Sequence, residues 1–231
     1  EIAADSVVLQ ISNFSDGKAE LDIPDLQPEQ WQRFNDYGIG LLMEGDTRGA
    51  SFAFEQVAKL KPSNIEGPLN LAKTAIRDGN IDRAYRHLKQ CESIKIGDAR
   101  VAWAWGVVLQ EDGRYEQAVA AYKRVLEKFP EDRAAWRNLG RTYYLDQQFE
   151  KALEAFEKVL EIDPEDRIAW YHLMLSHKAL GNTNEAKIAE TAYAHYQIDE
   201  SAQEITRAYK LKNPGDNLMA QQIRTHRLEL K

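Results

Sequence analysis

Apolar residues recur at intervals of three and four along the middle of the chain, which is the spacing of amphipathic helices. In the segment 134–164, Trp136 and Leu139 share one face of a first predicted helix, and Ala152 and Phe156 share one face of a second. We expect Trp136 and Phe156 to fill the space between hairpins. One such hairpin cannot bury both of its faces, so the pattern predicts further copies stacked on either side.

The pattern returns every 34 residues without an insertion. One column of equivalent positions consists of Gly38, Ala72, Gly106, Gly140 and Met174. A second consists of Ala50, Ala84, Ala118, Ala152 and Ala186. A third consists of Gly45, Gly79, Gly113, Gln147 and Gly181. We expect the small residues of the first two columns where the helices of a hairpin approach closely, and left-handed backbone at the glycines of the third, where a helix ends.

A 34-residue helix-turn-helix that carries W..LG..Y, then A...F, then P, resembles the tetratricopeptide repeat. The motif is carried here by Trp136, Leu139, Gly140, Tyr143, Ala152, Phe156 and Pro164. The resemblance covers roughly Trp31 to Ile198. It implies an all-α fold, a right-handed α-solenoid of five repeats, and a non-catalytic scaffold that binds other proteins.

The resemblance and the flanking sequences divide the chain into three regions. We expect the repeats within residues 28–197, at about 31–64, 65–98, 99–132, 133–166 and 167–197. Residues 1–27 are predicted to form an arm or short strands, either linking to a missing upstream domain or packing on the first repeat. In residues 198–231, a capping box from Ser201 to Glu204 predicts a capping helix, followed by a tail.

The second repeat departs most from the pattern, because Pro68 replaces the large aromatic residue and Gly67 precedes it. Asn64 is the expected N-cap, which places Pro68 within the first turn of the helix, where proline is tolerated. We expect this hairpin to be the loosest of the stack.

The composition limits the chemistry of the chain. Its net charge of −7 disfavours general binding to nucleic-acid phosphates, and it contains no run of 18 apolar residues that would insert into a membrane. The single cysteine, Cys91, excludes an internal disulfide and is expected to be a buried hydrophobe.

No motif predicts catalysis. The sequence has no glycine-rich phosphate loop, haem attachment motif or paired-histidine metal motif, so we expect no catalytic, cofactor-binding or metal-binding residues and no enzyme activity. His172 and His177 are expected on different faces of one helix, which argues against a shared metal. His177 is expected to be a hydrogen-bonded structural residue.

In the resembled fold the first helix of each repeat lines a concave groove, and this groove is the candidate binding site. Its charged and aromatic positions are Lys73, Arg77, Arg100, Trp103, Arg137, Arg141, Tyr144, Tyr171 and Lys178. Gathered cations repel one another and would attract carboxylates, and aromatic residues next to arginines are types that supply binding energy at interfaces. The residues therefore predict a protein or peptide partner bearing acidic and apolar groups, unless they are ordinary residues of a wet surface.

Two other roles stay open on the sequence alone. The groove could take a segment of a neighbouring copy, which would make the chain a self-assembly module. The opening QRFNDYGIGLLMEGDTRGA and the tail DESAQEITRAYKLKNPGDN are similar to repeat segments found at the end of bacterial multihaem cytochrome chains. That resemblance implies an accessory module of a larger enzyme or cytochrome and favours the periplasm. Since the chain begins at Glu1 without an initiator methionine, we expect it to be part of a longer protein.

Overall fold

A computed structural model describes residues 30–196, and the elements in this range are helices. The all-α prediction is confirmed. The predicted arm at 1–27 and the predicted capping helix and tail at 198–231 lie outside these residues. The chain divides into two compact units, Glu1–Asp112 and Gly113–Lys231.

The described part of the first unit contains five helices that pack in sequence order. They are α1 (Trp31–Glu44), α2 (Thr47–Leu60), α3 (Glu66–Arg77), α4 (Ile81–Ile94) and α5 (Ala99–Glu111). The described part of the second unit contains α6 (Tyr115–Leu126), α7 (Arg133–Leu145), α8 (Phe149–Ile162), α9 (Arg167–Ala179) and α10, which covers residues 183–196. Neighbouring helices of each unit pack against each other, as in a helical repeat fold.

The small-residue columns lie where the helices of a hairpin meet. All five members of the alanine column are buried. A Cβ added to Gly38 would lie 2.7 Å from the Phe54 ring, and one added to Gly140 would lie 3.0 Å from the Phe156 ring. The close approach predicted for these columns is confirmed, because a larger side chain would push the aromatic ring away.

The turn column has left-handed backbone at every position. The four glycines have φ between 69° and 91°, and Gln147 has φ of 59°. Gln147 therefore adopts a conformation that costs a residue with a Cβ about 1 kcal/mol and that glycine adopts freely. The prediction for the turn glycines is confirmed, and Gln147 shares their conformation.

The second hairpin is well packed at the two residues that led to the prediction that it is the loosest. Eight of the twelve residues of α3 are buried, among them Pro68 in its first turn. A Cβ on Gly67 would lie 2.6 Å from the backbone nitrogen of Ala58, so glycine here admits the backbone of α2. Ile65, rather than Asn64, is the N-cap residue, although the Asn64 side chain accepts a hydrogen bond from the Glu66 N–H at 3.0 Å.

Two tryptophans fix the loops ahead of their helices. The indole N–H of Trp136 donates to the Pro130 carbonyl at 2.7 Å, and that of Trp170 donates to the Pro164 carbonyl at 2.8 Å. Both side chains are only half-buried. Phe156 is fully buried as predicted, and Trp136 is half-buried with its indole N–H bonded to the loop ahead of α7.

Cys91 is buried in α4, as predicted. Burial in this apolar position raises the pKa of its thiol to about 12, with Asp98 adding a smaller contribution of the same sign. The thiolate is therefore negligible near neutral pH, and the side chain acts as a small hydrophobe.

Candidate functional site

An aspartate opens the first helix of three successive hairpins at the 34-residue spacing. Asp98, Asp132 and Asp166 are the N-cap residues of α5, α7 and α9. Their carboxylates accept backbone N–H groups at 2.8–3.0 Å, which satisfies donors that a helix start leaves unpaired. The carboxylates of Asp98 and Asp166 lie beside the predicted groove cations Arg100 and Arg137. Reasoning from the sequence missed them, although their spacing was a usable signal.

The predicted groove residues of the first unit lie on α1, α3 and α5. The first candidate surface consists of Asn35, Glu66, Asn70, Lys73, Arg77, Arg100 and Trp103. Arg100 lies 2.6 Å from the Glu66 carboxylate and 3.2 Å from the Asp98 carboxylate. The guanidinium beside it holds the pKa of Asp98 well below its usual range. Two carboxylates of its own unit therefore already compensate the charge of Arg100.

Two amides connect α1 and α3 on the same surface, and an ammonium of α3 bonds to one of them. The buried Asn70 donates to the Asn35 side-chain oxygen at 2.8 Å and accepts from Lys73 at 3.4 Å. Burial lowers the pKa of Lys73; Glu66 opposes this effect and Arg100 adds to it. Lys73 is thus held in place by neighbours within its unit.

Arg77 and Trp103 complete the first candidate surface. A guanidinium N–H of Arg77 donates to the carbonyl of Leu42 in the last turn of α1, which also accepts the N–H of the C-cap residue Gly45. Trp103 is half-buried on α5. All three predicted cations of this unit therefore have a partner within it.

The predicted groove residues of the second unit lie on α7 and α9. The second candidate surface consists of Arg137, Arg141, Tyr144, Tyr171, His172 and Lys178. Arg137 donates to the carboxylate of Asp166, the N-cap of α9. The arginine side chain is 27% exposed and the aspartate 3%, so this pair joins α7 to the start of α9 largely out of water. Lys178 pairs with Glu190 at 3.1 Å, and both side chains are half exposed.

His172 lies at the centre of an aromatic cluster on this surface. Its ring stacks on Phe156, with centroids 4.8 Å apart and planes 1° from parallel. Tyr144 and Tyr171 meet it edge-on at 5.8 Å and 5.5 Å. Tyr171 also contacts Tyr193 at 5.3 Å. From the sequence, His172 was considered only as a metal ligand. Its place among the aromatic rings was missed, because the spacing of His172 from Tyr144 and Phe156 along the chain does not reveal it.

Arg141 differs from the other predicted cations. It is exposed on α7 and forms no ion pair or hydrogen bond with any residue between 30 and 196. Burial lowers the pKa of His172 to about 4, and the positive charge of Arg141 contributes to this decrease. The arrangement places an available guanidinium near stacked aromatic rings, which suits a carboxylate with an apolar neighbour.

Most of the predicted groove cations therefore have partners among the described residues, which weakens the mutual repulsion expected from the sequence. Arg100, Arg137 and Lys178 have carboxylate partners, Arg77 has a carbonyl partner, and Lys73 has an amide partner. These partners were not expected because arginine and lysine side chains are long and reach carboxylates on neighbouring turns and loops. Such carboxylates do not belong to the same column of equivalent positions as the cation.

His177 has the structural role predicted for it, since its ring lies 3.5 Å from the Asn182 amide and its backbone carbonyl accepts the Asn182 N–H. Across residues 30–196, no cluster of three histidine, cysteine, aspartate or glutamate side chains is arranged to hold a metal ion. In the same range, every helix is too short or too polar to span a bilayer.

Comparison with known proteins supports the fold. The family model described as tetratricopeptide repeat matches residues 104–173. The chain in a crystal structure of the MamA protein is 25% identical in sequence to this chain. The two structures align with a TM-score of 0.64, and the alignment covers 75% of this chain and 95% of that one. A double mutant of MamA RS-1 is 20% identical, with a TM-score of 0.68 and coverage of 75% and 98%. A MamA from Desulfovibrio magneticus RS-1 is 20% identical, with a TM-score of 0.63 and coverage of 76% and 97%. No curated protein matches the sequence.

Proposed function

We propose, from the premise that this chain is a tetratricopeptide repeat protein and hence a protein-interaction scaffold, that its second candidate surface binds a peptide segment with acidic and apolar residues. The observation that carries the proposal is Arg141, which is exposed beside the aromatic cluster and has no partner among residues 30–196. A ligand carboxylate gains an ionic hydrogen bond there without displacing an existing one.

The remaining predicted groove residues have different roles in this proposal. Tyr144 and Tyr171 supply apolar contact, while Arg137 and Lys178 keep their own carboxylates and shape the surface. An exposed guanidinium–carboxylate pair contributes about 0–1 kcal/mol, so affinity depends mostly on the tyrosines and selectivity on Arg141. On the first candidate surface, Lys73, Arg77 and Arg100 are assigned to holding the helices together, and Trp103 is its only groove residue left for ligand contact.

The test uses a synthetic fluorescein-labelled peptide that alternates glutamate with leucine and phenylalanine, and a second peptide with glutamine for glutamate. Fluorescence anisotropy with the parent should show tighter binding of the acidic peptide. Arg141→Glu should weaken that binding about tenfold, since it replaces attraction by repulsion at one site. Arg124→Glu is the matched control, because it makes the same charge change at an exposed position of α6 outside the surface.

A second measurement locates the ligand. The charge of Arg141 helps to lower the pKa of His172, so a carboxylate bound at Arg141 should raise that pKa towards its ordinary value. The His172 ring resonance, followed by NMR against pH with and without the acidic peptide, reads this shift. Equal weakening by Arg141→Glu and Arg124→Glu, or a His172 pKa that saturating peptide leaves unmoved, contradicts the proposed site.

The other two predicted roles, self-assembly and service to a larger enzyme or periplasmic multihaem cytochrome, stay predictions. Light scattering over a range of concentrations tests the first, and the coding sequence upstream of Glu1 tests the second. Neither is favoured by an observation on the described residues.

A further inference from the structure

The first helix of the first hairpin exposes positions whose equivalents on the other first helices are buried or, at Trp105, half-buried. Tyr37 and Gly40 on α1 occupy the positions of Leu71 and Thr74 on α3 in the 34-residue register. Tyr37 is 55% exposed where Leu71 is 3% exposed. Further equivalents of Gly40 are Val108, Thr142 and Ser176, and all of them are fully buried. The α1 stripe, defined as Arg33, Tyr37, Gly40 and the neighbouring Met43, has no cover within residues 30–196. The equivalents of Met43 on the other first helices are exposed as well, so the contrast with those helices rests on the other three positions.

The composition of the α1 stripe is unusual for a surface meant to face water. A terminal repeat normally presents a polar outer face. Tyr37 and the 80%-exposed Met43 are large and apolar, and Gly40 lies between them with nothing within 4 Å of an added Cβ. A glycine inside an exposed helix lowers the stability of the helix, and no close contact of the backbone compensates for it here. At Gly67 on α3, the corresponding absence of a side chain admits the backbone of α2.

We propose that the α1 stripe is covered by the chain's own apolar segment 6–12, with the sequence SVVLQIS. The segment precedes α1 in the same chain, and the 18 residues between Ser12 and Trp31 can span about 60 Å, several times the length of the stripe. Tethering by such a linker raises the local concentration of the segment to about the millimolar range. Val7, Leu9 and Ile11 alternate with other residues and can face Tyr37 and Met43 from one side.

Charge supports the same occupant. The residues that precede α1 include Asp16, Glu20, Asp22, Asp25 and Glu29. Only Lys18 among them is basic, and Arg33 stands exposed at the start of the α1 stripe. An acidic linker beside Arg33 is therefore favourable at short range.

A second copy of the chain is a poorer occupant. Phe54 of α2 packs with Leu71, and its equivalent on α10 is Glu190. A head-to-tail neighbour that placed α10 over the α1 stripe would set Glu190, already paired with Lys178, against Tyr37. Burying that carboxylate against an aromatic ring is unfavourable.

The first experiment is photocrosslinking in the full chain with Tyr37→p-benzoylphenylalanine. The expected product is an internal crosslink from position 37 to residues 6–12, read by mass spectrometry on a band of monomer size. Lys59→p-benzoylphenylalanine, at an exposed position of α2, is the matched control and should give no link to residues 6–12. A covalent dimer, or a link from position 37 to any other segment, overturns the proposal.

The second experiment uses the missing side chain of Gly40. In the parent, Gly40→Ala should leave Tm unchanged or lower it, because the covering segment occupies the space. In a chain that also carries Leu9→Asp and Ile11→Asp, the same change should raise Tm by about 2–4 °C, the ordinary gain of alanine over glycine in an open helix. A rise of that size in both chains means that the stripe is open and the proposal is wrong.

Discussion

The two candidate surfaces occupy matching positions in the 34-residue register, yet their cations are in different states. On the first, Arg100 contacts Glu66 and Asp98, Arg77 contacts a carbonyl, and Lys73 contacts Asn70. On the second, Arg137 and Lys178 are paired in the same way, but Arg141 is available. The aromatic residues also differ, since the first surface has one half-buried tryptophan and the second has a cluster around His172.

The difference teaches that a repeat fixes where a side chain starts but not what it contacts. Equivalent columns place Lys73 and Arg141 at the same point of α3 and α7. Each of the two cations has an asparagine three positions earlier in its helix. Asn70 accepts a hydrogen bond from Lys73, whereas Asn138 donates to the Ala134 carbonyl. A single choice of hydrogen-bond partner thus separates a structural cation from one that a ligand can use.

The largest expected effect concerns two of the N-cap aspartates, Asp166 and Asp98. Asp166→Ala should lower the free energy of unfolding by about 2–4 kcal/mol, because it removes a helix cap and leaves the mostly buried Arg137 without its carboxylate. Asp98→Ala should cost about 1–2 kcal/mol, because Arg100 is 51% exposed and keeps Glu66. Urea titrations followed by circular dichroism measure both values.

Asp166→Asn separates the two contributions, since asparagine still caps a helix but carries no charge. Compared with Asp166→Ala, we expect Asp166→Asn to regain only the contribution of the helix cap to the free energy of unfolding, about 1 kcal/mol. If Asp166→Ala and Asp98→Ala lower the free energy of unfolding by the same amount, the buried ion pair contributes no more than the exposed one, and the distinction drawn between them is wrong.

Acid should act on the second surface through His172. Its folded-state pKa of about 4 lies below the ordinary value of 6.5, so the unfolded chain binds this proton first as the pH falls. The stabilising contribution is present above pH 6.5 and is lost between pH 6.5 and 4, by about 1–2 kcal/mol for a partly buried group. Urea titrations at pH 7.5 and 4.5 measure the loss.

His172→Phe should reduce this pH dependence while preserving the stack on Phe156. Some dependence will remain in the first unit, because burial and Arg83 also lower the pKa of His87 on α4. A pH dependence that is identical in the parent and in His172→Phe would exclude His172 as its source.

The smallest expected effect compares the turns. Gln147→Gly should raise the free energy of unfolding by about 0.5–1 kcal/mol, because glycine adopts the positive φ without strain. The reverse change at the equivalent turn of the first unit, Gly79→Gln, should lower it by a similar amount. Differential scanning calorimetry resolves changes of this size. If Gln147→Gly raises the free energy of unfolding and Gly79→Gln lowers it, the position in the repeat, rather than the local sequence, sets the positive φ of the backbone.

The features that depend on register were predictable from the sequence. Ala50 and its equivalents, Gly38 against Phe54, and the left-handed turns follow from geometry that recurs in each hairpin. Backbone and small-residue positions repeat because close packing leaves them little freedom.

The contacts of long side chains were not predictable in this way. Arg137 and Asp166 are 29 positions apart, so their pairing does not follow any column of equivalents. Pro68 and Gly67 indicated looseness, yet the missing side chain at Gly67 is what lets α2 approach. The role of His172 depends on rings contributed by α7, α8 and α9 together.

The burial of Cys91 has a practical consequence for spectroscopy. Its thiol is enclosed in α4 and its pKa is far above neutral, so maleimide and nitroxide reagents will leave it unmodified in the folded chain. A single cysteine introduced at an exposed position will then be the only labelled site, with no need to replace the native residue. Dye pairs or spin labels placed on α1 and α9 can report distances in the unaltered scaffold.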